Sequence, residues 1–123
     1  MAKNSPITTG LLFAGADHTL QILVVDAAGA PQTMTGWSLM WVMRSPSADG
    51  SGAAVVTKVS PGSITLTSVG GVNNQATVSI LRADTLAVAP GKYGHTLWRT
   101  DTGLYTPIAY GLCVLEHPER TNP

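Results

Sequence analysis

Apolar and polar residues alternate along this chain in short runs, and glycine, proline, asparagine and aspartate interrupt them at close intervals. The runs are rich in valine, isoleucine, leucine, threonine and aromatic residues, which suit a pleated, half-buried surface. This pattern predicts strands at Ile7 to Phe13, His18 to Asp26, Gly36 to Arg44, Ala54 to Val59, Ser63 to Thr67, Gln75 to Arg82, Lys92 to Thr100 and Leu104 to Glu116. One helical turn is expected in Arg82 to Pro90, with Asp84 placed to cap it and Pro90 to stop it. The intervening "DAAGAPQ", "SPSADGSG", "SVGGVNNQ" and "TDTG" read as turns and loops, the asparagines of the third tolerating positive φ alongside its glycines.

Strand periodicity assigns the faces. In the third run Trp37, Leu39, Trp41 and Met43 share one parity and form a core face, while Ser38, Met40, Val42 and Arg44 share the other. In the second run Leu20, Ile22 and Val24 oppose Gln21, Leu23 and Val25. Both strands are therefore apolar on two sides. Either the outer residues are ordinary scattered apolar surface, or they pack on another subunit or element. The second alternative makes Met40, Val42, Leu23 and Val25 interface candidates.

The stretch "PGKYGHTLWRTDTG" places Tyr93, His95 and Leu97 on one face and Gly94, Thr96 and Trp98 on the other. A tyrosine just after "PGK" can lie along the corner of a sandwich with its hydroxyl bonded to nearby backbone, the tyrosine corner of immunoglobulin-like domains. His95 reads as a partly buried or interfacial histidine with a hydrogen bond. Trp98 points outward or into a neighbour, and its large area with few rotors makes it an anchor candidate.

Composition narrows the partners. Charged residues are 11% of the chain, against about 25% in a typical soluble domain, so there is little charge to keep every face in water. Seven basic residues balance seven acidic ones, which gives no field to attract nucleic acid or an anionic membrane. The 123 residues fit one sandwich domain, with residues 1–6 as an N-terminal arm and 117–123 as a C-terminal tail. The short apolar run Leu11 to Ala14 is too short for a signal sequence, and no stretch approaches a membrane span. A soluble protein made in the cytoplasm is expected.

Candidate chemistry is sparse. His18, His95 and His117 lie at a strand start, within a strand and in the tail, and no G-x-S-x-G elbow accompanies them. The single cysteine, Cys113, forms no internal disulfide or multi-cysteine zinc site, and its "GLCVL" setting suits a small buried hydrophobe. Asp17, Asp26, Asp49, Asp84 and Asp101 all fall at predicted turns, where aspartate is favoured for its own hydrogen bonds. The expectation is a non-enzyme with no cofactor and no metal. Trp37, Trp41, Trp98, Tyr105 and Tyr110 are the aromatics from which a sugar platform could be built; with Trp37 and Trp41 in the core, Trp98 and the two tyrosines remain.

The segments "DHTLQILVVDAAGAPQTMTGWSLMWVMRSP" and "LAVAPGKYGHTLWRTDTGLYTPIAYGLCVLE" resemble the immunoglobulin-like N-terminal domain of phage baseplate upper proteins and related small phage virion proteins. The matching positions are Asp26, Gly29, Pro31, Thr35 and Gly36, then Leu39, Trp41 and Met43, and later Pro90, Gly91, Lys92 and Tyr93. The chain is expected to be a single domain, a departure from baseplate upper proteins, in which a fibre or helical part follows. The resemblance implies an immunoglobulin-like antiparallel β-sandwich of about seven to nine strands. It also implies a multi-copy structural protein of the virion, bound to other copies and to capsid, head-to-tail, tail or baseplate proteins. A carbohydrate-binding module for cell-surface attachment is the alternative.

Overall fold

A computed structural model describes residues 5–6, 11–13, 15–45, 52–60, 62–101, 103 and 105–116. In chain order the elements are β1 (Ser5–Pro6), β2 (Leu11–Phe13), β3 (His18–Leu23), β4 (Leu39–Arg44), β5 (Ala54–Val59), β6 (Ile64–Val69), β7 (Val72–Ile80), α1 (Arg82–Thr85), β8 (Gly91–Arg99) and β9 (Thr106–Glu116). Seven of the strands form two antiparallel sheets, β3-β7-β6 and β9-β8-β4-β5. The two short N-terminal strands pair parallel to β9 at its outer edge. This is an all-β sandwich of two antiparallel sheets with seven strands, within the seven to nine that the resemblance implied.

The core lies between the sheets and is built from one parity of each strand except β9, where adjacent Ile108 and Ala109 are both buried. Leu20, Ile22, Ile64, Ala76, Val78 and Ile80 come from the three-stranded sheet; Leu39, Trp41, Met43, Val56, Leu97, Cys113 and Leu115 come from the other. Val24 and Met34, just outside the strands, are also fully buried. Tyr93 is buried too, and its hydroxyl donates to the Ala89 carbonyl at 2.5 Å. That bond is the corner tyrosine expected from "PGKY".

Several boundaries differ from the sequence reading. The second run ends as a strand at Leu23, because Asp26 then turns the chain: its Oδ1 accepts the Ala28 and Ala30 amides, and Val25 bridges to Pro31 beyond the turn. Trp37 precedes β4 rather than lying within it. It is half-buried at the core rim, under the Arg99 guanidinium at 3.9 Å. The expected loop "SVGGVNNQ" is a tight hairpin in which Val69 pairs with Val72, so Val72, Asn73 and Asn74 belong to β7. Gly70 and Gly71 alone make the turn, with φ of +65° and +86°, and a two-residue hairpin needs positive φ at both central positions.

Asp84 is the third residue of the helical turn, not its N-cap. Its carboxylate reaches back to accept the Leu81 amide at 2.6 Å and pairs with Lys58 of β5 at 2.6 Å. Residues 5 and 6 of the expected arm are paired in the sheet. The rest of that arm, Asp49, His117 and the 117–123 tail lie outside the described residues.

Candidate interaction face

The outer face of the four-stranded sheet can be read row by row from the strand register. Val59, Met40, Trp98 and Pro107 stand side by side across β5, β4, β8 and β9, and Thr57, Val42, Thr96 and Tyr110 form the next row. Arg44, Gly94 and Leu112 make the third, and Lys92 and Val114 the fourth. Tyr105, just before β9, sets its ring against Trp98 with centroids 6.3 Å apart. Aromatic pairs prefer such tilted contacts over face-to-face stacking.

Exposure on this face is concentrated in large apolar side chains. Leu112 is 70% exposed, Tyr105 67%, Tyr110 53% and Val59 52%. Met40, Trp98 and Val114 are half-buried among them. The face carries little charge: Arg44 donates to the Gly52 carbonyl at 3.2 Å, and Lys92 and Glu116 sit at its far end.

The structure sorts the sequence candidates. Met40 and Trp98 are cross-strand neighbours and belong to one surface. Val42 lies on the same side but is only 2% exposed within the single chain, flanked by Thr57 and Thr96, so it is a covered residue and not a free anchor. Leu23, though 53% exposed, is on the opposite side of the sandwich, on β3, and Val25 is half-buried in the turn after it. These two do not join the Met40–Trp98 surface. Leu112 and Val59 escaped the sequence reading. The signal for Leu112 was the alternation of Tyr110, Leu112 and Val114, obscured because the β8–β9 register shifts at Trp98 and leaves adjacent Ile108 and Ala109 both buried; Val59 shares the outward parity of Thr57 on β5.

The residues capable of chemistry have structural surroundings. His95 is 2% exposed. Its Nδ1 accepts the Trp41 Nε1–H at 3.2 Å, the rings meet edge-on, and Nε2 has no hydrogen-bond partner among the described residues. Burial lowers its pKa to about 4, so the ring is neutral at physiological pH. Cys113 donates to the Met43 thioether, and burial raises its thiol to about 11, far from the thiolate a nucleophile requires.

The carboxylates serve turns and local pairs. Asp17 accepts the Arg82 amide, and Asp101 takes both contacts from Arg99, whose hydrogen bonds hold its carboxyl below the usual range. For Asp84, burial raises the pKa, but Lys58 and the Leu81 amide outweigh it and leave the group lowered. Among the described residues no three His, Cys, Asp or Glu side chains gather into a metal-binding group, and no helix is long and apolar enough to cross a membrane.

What this arrangement can do is present a broad, nearly uncharged apolar and aromatic sheet face to a protein surface or, at Trp98 and Tyr105, to a flat ring. Comparison with protein-family models and with curated proteins finds no match.

Proposed function

We propose that this chain is a non-enzymatic structural protein of a bacteriophage virion, a multi-copy interaction module on the capsid, the head-to-tail region, or the tail and baseplate. The observation that carries the reading is the apolar face of the four-stranded sheet, with Leu112, Tyr105, Tyr110 and Val59 all more than half exposed. A contiguous apolar patch of this kind marks an interaction site on a soluble domain. Repetition by symmetry makes modest individual contacts sufficient through avidity. The phage assignment rests on the "D-x-x-G-x-P" and "PGKY" resemblance. Quantitative mass spectrometry of purified virions of the encoding phage tests it, with several copies per particle as the expected result. Virions that lack the chain overturn the reading.

A carbohydrate-binding role is the second reading, favoured by the exposed Tyr105 ring beside Trp98. It requires saturable binding to a polysaccharide that Tyr105→Ala abolishes. A broad glycan panel with no binding removes it.

A further inference from the structure

The edges of the four-stranded sheet restrict how that sheet can meet another protein. Among the described residues β5 is the outermost strand on one side of the four-stranded sheet, and it carries two features that disfavour strand addition. Its register with β4 shifts between Met43 and Arg44, which leaves a bulge, and Lys58 shares the inward parity of buried Val56, where it is held by Asp84 and only 11% exposed. An inward charge and a bulge both disfavour edge-to-edge pairing. The other edge of this sheet is occupied by β1 and β2. In the three-stranded sheet β3 and β6 are the outer strands, and the register shift between Thr67 and Ser68 places its extra residue, Asn74, on the central strand β7.

The faces differ as well. The outer side of the three-stranded sheet carries Thr19, Gln21, Thr65, Thr67, Gln75, Thr77 and Ser79, with Leu23 as its large exposed apolar residue. The outer side of the four-stranded sheet instead presents Leu112, Tyr105, Tyr110 and Val59, each more than half exposed. Thr96 lies within this face between Val42 and Tyr110, and its charged residues Lys92 and Glu116 are at one end.

We propose that the outer face of the four-stranded sheet binds the same face of a second copy of this chain, forming a two-fold dimer by sheet-on-sheet packing. Two-fold association needs one self-complementary patch. A face almost free of charge meets its own copy without placing like charges in the centre, since Lys92 and Glu116, of opposite sign, lie at one end and Arg44 is already engaged with Gly52. Packed sheets stand about 10 Å apart, close enough for Leu112 and Tyr110 to interdigitate with their counterparts. The inference names a partner within the virion reading and rests on it only for its biological setting.

Sedimentation velocity of the full chain over a wide concentration range is the test. The wild type and Leu23→Lys should form a dimer, while Leu112→Lys and Tyr110→Lys, both at exposed positions, should weaken it about tenfold or more. Thermal denaturation of each variant establishes that it is folded. A wild type monomeric at every concentration, a Leu112→Lys variant that dimerises like wild type, a dimer broken by Leu23→Lys alone, or an open-ended series of oligomers would each overturn the proposal. The outcome is separable from the virion reading. A chain that is monomeric in solution but present in virions loses the dimer and keeps the role; a dimer missing from virions does the reverse.

Discussion

On the outer face of the three-stranded sheet, Thr19 pairs with Ser79, Gln21 with Thr77 and Thr67 with Gln75; on that of the four-stranded sheet, Met40 lies between Val59 and Trp98, and Tyr110 opposes Thr96. Both faces use residues that suit strands. Threonine combines a β-branched carbon with a hydroxyl that hydrogen-bonds water or a neighbour, as Thr67 and Thr77 do at 3.4 Å. Leucine and valine bring the same apolar surface with no hydroxyl to satisfy in water. The first face is complete in solvent, whereas the second gains free energy when another surface covers it.

The largest effect should come from removing what both faces share. Trp41 fills the core from β4 and supplies the hydrogen bond to His95. Trp41→Ala should destabilise the fold by about 3–5 kcal/mol, measured by urea denaturation. A much smaller loss would mean that the sheets hold together without this residue, and that the faces are less dependent on a common core than the packing indicates.

Acid should weaken the apolar sheet from inside. The His95 pKa falls from 6.5 unfolded to about 4 folded, so between those values the unfolded chain binds the additional proton and stability rises with pH. The full contribution is present above pH 6.5 and is lost as pH falls toward 4, a decline of about 3 kcal/mol. Unfolding free energies of wild type and His95→Gln across this window should diverge, with the flatter profile in the variant. Parallel profiles would show that His95 is not buried as a neutral ring.

The polar face depends on its hairpin. Gly71→Ala places a side chain at φ +86°, where an L-residue costs about 1 kcal/mol. The loss should be visible as a lower midpoint, and an unchanged midpoint would show that the turn tolerates another geometry.

The smallest effect is also the most direct comparison of the two faces. Leu112→Thr and Leu23→Thr should each change monomer stability by less than about 0.5 kcal/mol, because both side chains are exposed. A large loss in Leu112→Thr would mean that the apolar face supports its own chain and not a partner.

Local rules were enough for the strands, the core parity of β3, β4 and β8, the Asp26 turn and the corner tyrosine, because alternation and turn chemistry act over a few residues. Fine boundaries escaped where tertiary pairing extended a strand, as at Val72 to Asn74, or where a turn cut one short, as after Leu23. Within the face itself, Trp98 and Met40 were legible from parity, and Leu112 was not, since the register shift near Ile108 breaks the simple alternation of β9.

What no local pattern could supply was which outer residues share a surface. Leu23 and Met40 have the same character in sequence, yet sheet assignment places them on opposite sides of the sandwich, and cross-strand neighbours cover Val42 while leaving Leu112 open. The sequence by itself determined the strands and the faces each one offers, because side-chain direction follows backbone period. Only the tertiary structure decided which faces meet, because strand pairing joins residues far apart in the chain and register alone sets their neighbours.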